Sequence, residues 1–197
     1  MARPQVDHAR RAALKTLGAG LGAAVVWPCL SDDAAAAFAR IQSAQAPPTL
    51  AFLTPAQYAA VDAIAETIIP ADDHSPGARA ARVADYIDLL LSESPPEMQQ
   101  AWRAGLTALD ASAKARFGRP FVELAAADAT AVLTDLARNE DRPATSLEQF
   151  VKDTKEATIR GYYTSEIGIH RELQYKGNQM LPEFVGCTHK EHGFGEG

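Results

Sequence analysis

Apolar residues return at Tyr58, Val61, Ile64, Ala65 and Ile68, the three-and-four spacing of one helical face. Ahead of them, Thr54-Pro55-Ala56-Gln57 offers a hydroxyl N-cap, a proline at the first helical position and a glutamine placed to close a capping box. Pro70 stops that run, and the loop ADDHSPGA follows. The pattern then predicts a second helix from about Ala80 to Leu91, with Val83, Tyr86, Ile87, Leu90 and Leu91 facing one way. Pro95-Pro96 opens a third, carrying Trp102, Leu106, Leu109 and Ala113 up to a stop at Gly118. A shorter fourth, about Asp128 to Arg138, offers Val132, Leu133 and Leu136. Ser146-Leu147-Glu148-Gln149 reads as another capping box, opening a fifth helix toward Gly161. No alternating strand pattern of useful length and no internal repeat appears. The expected fold is all-α: a small helical bundle-like domain of about five helices with an extended, irregular C-terminal tail.

The first 39 residues follow a different pattern. Arg10 and Arg11 stand before a short Gly- and Ala-rich apolar run, and small residues close it. That layout is a basic region, an apolar region and an Ala-x-Ala-like cleavage site, with the cut expected after Ala36 or Ala39. The arginine pair with Leu14 and Lys15 has the form of a twin-arginine address, read by a machine that exports folded proteins. The run from Thr16 to Leu30 is too short, and too interrupted by Pro28, for a stable membrane span. Trp27 and Pro28 also argue against lipidation of Cys29. A Pro/Gln/Ala-rich linker, IQSAQAPPTL (41–50), follows.

Charge and cysteine usage narrow the partners. Removing the four basic and three acidic residues of 1–39 from totals of 19 and 25 leaves a net charge of −7. That balance disfavours nucleic acid and anionic membrane surfaces. Only Cys187 remains after such a cut, so an internal disulfide is excluded, and the thiol is buried, reactive or paired with another chain.

Motifs that would carry chemistry are weak. GAGLGA (18–23) matches a dinucleotide fingerprint, but no strand precedes it and it lies within the leader. Asp72-Asp73-His74 offers metal ligands, although Asp and Ser beside Pro76-Gly77 more simply make a solvated turn. Cys187, His189 and His192 are better zinc-type ligands, yet they crowd into six residues where a structural site draws four from separated segments. No haem, iron–sulfur or hydrolase motif is present, so no catalytic residue is assigned and no cofactor is expected in this chain.

The stretch GYYTSEIGIHRELQYKGNQMLPEFVGCTHK (161–190) is the most distinctive. Its aromatics and interruptions by Gly and Pro fit a partner-ordered segment, since such residues are enriched at interfaces. Tyr162, Tyr163, Ser165, Glu166, Tyr175 and Phe184 are the candidate contacts. A core position fits Tyr162 or Tyr163 equally well.

This stretch, together with LTPAQYAAVDAIAETIIPADDHSPGARAARVADYIDLLL (53–91), resembles the gluconate 2-dehydrogenase subunit 3 family. The runs IIP…PGA…V…YID and GYYTSEIG…EL.Y carry the resemblance. It implies a non-catalytic small subunit of a periplasmic dehydrogenase, needed for the export, folding and stability of its partner. That partner would be a large FAD-binding chain of the glucose–methanol–choline oxidoreductase type, oxidising a sugar, sugar acid or glycoside. A c-type cytochrome with haem c would accept the electrons. The large chain would travel folded with its FAD, using the twin-arginine leader of the small one. Cys187 then becomes a candidate for an intersubunit disulfide. The alternatives are a transient export escort, or a stand-alone metal-binding protein using Cys187, His189 and His192. The implied layout is a leader over 1–39, a linker over 40–52, a helical domain over 53–160 and a partner-binding segment over 161–197.

Overall fold

Seven α-helices form over residues 30–43 and 49–177, the residues that the computed structural model describes. They are α1 (Asp32–Ser43), α2 (Pro55–Ile68), α3 (Gly77–Ala80), α4 (Val83–Ser92), α5 (Pro96–Phe117), α6 (Ala126–Ala137) and α7 (Ser146–Tyr163). A 3-10 turn at Phe121–Glu123 and a π-turn at Gly168–Glu172 complete them, and the described residues form no strand. The fold is all-α, as the periodicity predicts.

Local chemistry sets the helix ends. Thr54 caps α2 by accepting from the Gln57 N–H, while the Gln57 side chain accepts from the Thr54 N–H, so both halves of the capping box are made. At α7 the capping residue is Thr145, one position before the expected serine, because Glu148 sits three residues after it and returns to its N–H at 3.1 Å. Gly118 ends α5 in the left-handed region at φ 75°, which a residue with a Cβ enters at a cost.

The predicted helix from about Ala80 to Leu91 is in fact two. Arg82 breaks it at φ 59°, a conformation uncommon outside glycine. The break is held from outside the backbone: the Arg82 guanidinium makes two bonds to the Asp85 carboxylate, at 2.7 and 2.9 Å. Tyr58 donates to the same carboxylate at 2.9 Å. Burial first, and then the Asp85 charge, push the Tyr58 phenol well above its ordinary range.

Helix α4 is buried on nearly every side. Its second acid, Asp88, accepts from three consecutive backbone N–H groups, Ala51 at 2.6 Å, Phe52 at 3.0 Å and Leu53 at 2.6 Å. The chain entering α2 is thereby bound to α4. Helix α7 packs against α2, α4, α5 and α6. Two close approaches fix it. The Phe150 ring of α7 lies where a Cβ on Gly105 of α5 would be, 2.2 Å away, and meets Trp102 edge-on at 5.5 Å. A Cβ on Gly161 of α7 would in turn lie 2.8 Å from the Tyr86 ring of α4. Gly161 therefore ends nothing: α7 continues past it to Tyr163.

Helix α1 has no counterpart among the predicted elements. It crosses position 39, where the sequence places the end of the leader, and buries Ala34 and Phe38 in the common core.

Candidate partner interface

The C-terminal end of α7 gathers most of the residues that the sequence singles out, and it separates them by role. Tyr162 points inward and is 1% exposed, while Tyr163 points outward and is 40% exposed. Adjacent helical positions diverge by roughly 100°, so the two rings leave the helix in different directions. Their rings meet edge-on at 5.2 Å.

Tyr162 and Ser165, expected as contacts for a partner, are core groups. The Tyr162 hydroxyl is hydrogen-bonded to Ser75 Oγ, and both groups are buried. Burial pushes the Tyr162 phenol upward, with the Ser75 bond working against that shift. The Ser165 side chain is fully buried, donating to the Tyr162 carbonyl at 2.6 Å and accepting from the Gly168 N–H at 3.0 Å. It turns the chain out of α7 into the π-turn. Glu166 is exposed, and its N–H donates to Gln42 Oε1 of α1 at 3.3 Å.

The loop before α3 is a turn that supports this end. Asp72 Oδ1 accepts from the N–H groups of His74 at 2.8 Å and Ser75 at 2.7 Å. These two bonds hold the Asp72 carboxyl below the usual range. No cluster of three His, Cys, Asp or Glu side chains forms a metal-binding group among the described residues. A groove of about 170 Å³ between α5 and α7, lined by Trp102, Gly105, Phe150 and Asp153 among others, falls short of the roughly 300–1,000 Å³ of a small-molecule site.

An apolar surface remains. Five large hydrophobic side chains are exposed among the described residues, and four lie between positions 159 and 175. Ile159 (40%) and Tyr163 stand one turn apart on α7, and Leu173 (57%) and Tyr175 (51%) follow in the segment after it. The Tyr175 N–H donates to the Ile169 carbonyl at 3.0 Å, folding that segment back on the π-turn. Aromatic and aliphatic groups at such exposure mark an association surface when they concentrate in one region. Sequence reasoning found Tyr163, Glu166 and Tyr175 there but missed Ile159 and Leu173, which carry no signal beyond being apolar. Arg10, Arg11, Leu14, Lys15, Phe184, Cys187, His189 and His192 lie outside the described residues.

Residues 55–182 match the sequence family described as gluconate 2-dehydrogenase subunit 3, and the chain belongs to that family. It is thus of the small-subunit type of an oxidoreductase complex. No curated protein and no solved structure matches it. Among the described residues, no helix is long and apolar enough to cross a membrane.

Proposed function

We propose that this protein is the non-catalytic small subunit of a periplasmic flavoprotein dehydrogenase that oxidises a sugar, sugar acid or glycoside. The large partner holds FAD and is of the glucose–methanol–choline type, and a c-type cytochrome with haem c takes its electrons. The small subunit supplies the twin-arginine address through Arg10, Arg11, Leu14 and Lys15, and stabilises the folded large chain by binding its native state. The observation that carries this reading is the concentration of exposed apolar side chains at Ile159, Tyr163, Leu173 and Tyr175, within the span matched to a subunit family. Phe184 and Cys187 follow in the sequence as further contacts, Cys187 through a disulfide to the large chain.

The test is co-expression of the two chains, followed by isolation of the periplasmic flavoprotein and size exclusion. The expected result is a yellow complex that retains the small chain in fixed ratio. Tyr163→Asp with Tyr175→Asp releases it, while the melting temperature of the small chain itself is unchanged. Lysines at Arg10 and Arg11 keep both chains in the cytoplasm. A large chain that reaches the periplasm in full amount and activity without the small one would sink the proposal. Loss of the small chain during size exclusion, after normal export, would favour the transient escort instead.

A further inference from the structure

Helix α1 occupies residues that the sequence reads as the end of a removable leader. Its contacts are those of a permanent element. Ser31 caps it, with Oγ accepting from the Ala34 N–H at 3.1 Å. Asp32 and Asp33 lie in the first turn and Arg40 in the last, matching the helix dipole at both ends. The Ala34 and Phe38 side chains, one turn apart, face the core, and Phe38 is 4% exposed with its ring edge-on to Tyr86 at 5.4 Å. Both ends are tied to the rest of the fold. Ser31 donates through its N–H and Oγ to the Glu93 carboxylate, at 3.0 and 2.5 Å. Gln42 donates to the Ala81 carbonyl at 3.4 Å and accepts from the Glu166 N–H.

A protease that reads Ala-x-Ala requires the peptide extended in its cleft. Cutting after Ala36 or Ala39 would first require α1 to unwind and withdraw Phe38 from the core, whereas natural processing concentrates in exposed segments that open easily. A cut after Ala39 would also remove Phe38 from a domain that has already folded, leaving Tyr86 uncovered. The small side chain at Ala34, the buried alanine of the run, has a sufficient structural reason, since it lets α1 lie close to α4 beside Phe38.

We propose that α1 is part of the mature protein, docked through Ala34 and Phe38, and that its alanine run is helix and not a maturation site. If the exported chain is trimmed, the cut falls before Ser31. The inference assumes the export reading only for the choice of compartment in which it is tested.

The experiment is intact-mass measurement of the chain isolated from the periplasm, paired with thermal melts of that chain and its Phe38→Ala variant. The expected N-terminus is at or before Ser31, and Phe38→Ala lowers the melting temperature by several degrees. An N-terminus at Ala37 or Arg40, or a melt indifferent to Phe38→Ala, overturns the inference. If the chain occurs only in the cytoplasm, the export reading fails instead, and the same melt still decides whether α1 is docked.

Discussion

Replacing Asp88 with alanine tests how the entry to α2 is held. The carboxylate is 2% exposed and accepts three backbone N–H groups, at Ala51, Phe52 and Leu53. A hydrogen bond to a charged group contributes about 1.5–3 kcal/mol, so three counted at full value would give about 5–9 kcal/mol. That sum is an upper bound. Ala51 is exposed and Phe52 half-buried, so water replaces the carboxylate at both, whereas Leu53 is buried and its N–H loses the carboxylate as acceptor. Counting Leu53 near full value and the other two at about half a kcal/mol each gives a loss of about 3 kcal/mol. For a domain of this size each kcal/mol moves the melting temperature by about 2–4 °C, so Asp88→Ala should melt about 6–12 °C lower. Asp88→Asn keeps one acceptor oxygen and should fall between. Calorimetry measures the shift, and amide hydrogen exchange locates it, with protection lost first at Leu53. A change under about 2 °C, or unchanged exchange at Leu53, would show that the carboxylate does not hold this segment.

Two further outcomes follow from the packing of α5 on α7. Gly105→Ala should destabilise by about 1–3 kcal/mol despite the better helix propensity of alanine, because its Cβ would lie 2.2 Å from the Phe150 ring; adding Phe150→Leu should recover part of the loss in a double-mutant cycle. Asp153 is half-buried beside the same groove, and desolvation raises its pKa, so the native state holds that proton to higher pH than the unfolded chain does. The resulting penalty is absent below the unfolded pKa and complete above the folded one. Asp153→Asn, whose carbonyl keeps the 2.6 Å bond from Gln149 Nε2, should therefore match the wild type near about pH 3 and become the more stable of the two by about pH 7; melts at both values check it, and the opposite trend refutes the assignment.

Much of the fold was legible because local and tertiary signals agree. The Thr54–Gln57 box, the proline opening α5 and the stop at Gly118 act within one helical turn, and the structure contains each as read. What escaped were features decided at a distance. The break at Arg82 rests on Asp85, whose carboxylate Tyr58 holds from 27 residues away, and the passage of α7 through Gly161 depends on the Tyr86 ring of α4. Helix α1 escaped for another reason, since an alanine run has the same composition in a cleavage region and on a packing face. At the candidate interface, the sequence pointed to the segment where exposed apolar side chains gather but not to its orientation. Whether Tyr162 or Tyr163 faces inward is fixed by Ser75, which lies 87 residues away.

Helix α7 carries a ring at position 150 that fills a notch in α5, and a notch at position 161 that receives a ring from α4. Eleven residues at 3.6 per turn is close to three whole turns, so the protrusion and the recess lie on nearly the same side, roughly 16 Å apart. They act like a key with one tooth and one slot. Sliding α7 by one turn would drive Phe150 against a position other than Gly105, and would put a side chain where Tyr86 now sits. The helix is thus indexed along its own axis, and the height at which Ile159 and Tyr163 stand above the core is set by two glycines that neither residue touches. A partner resting on Ile159 and Tyr163 would meet a ledge of fixed position.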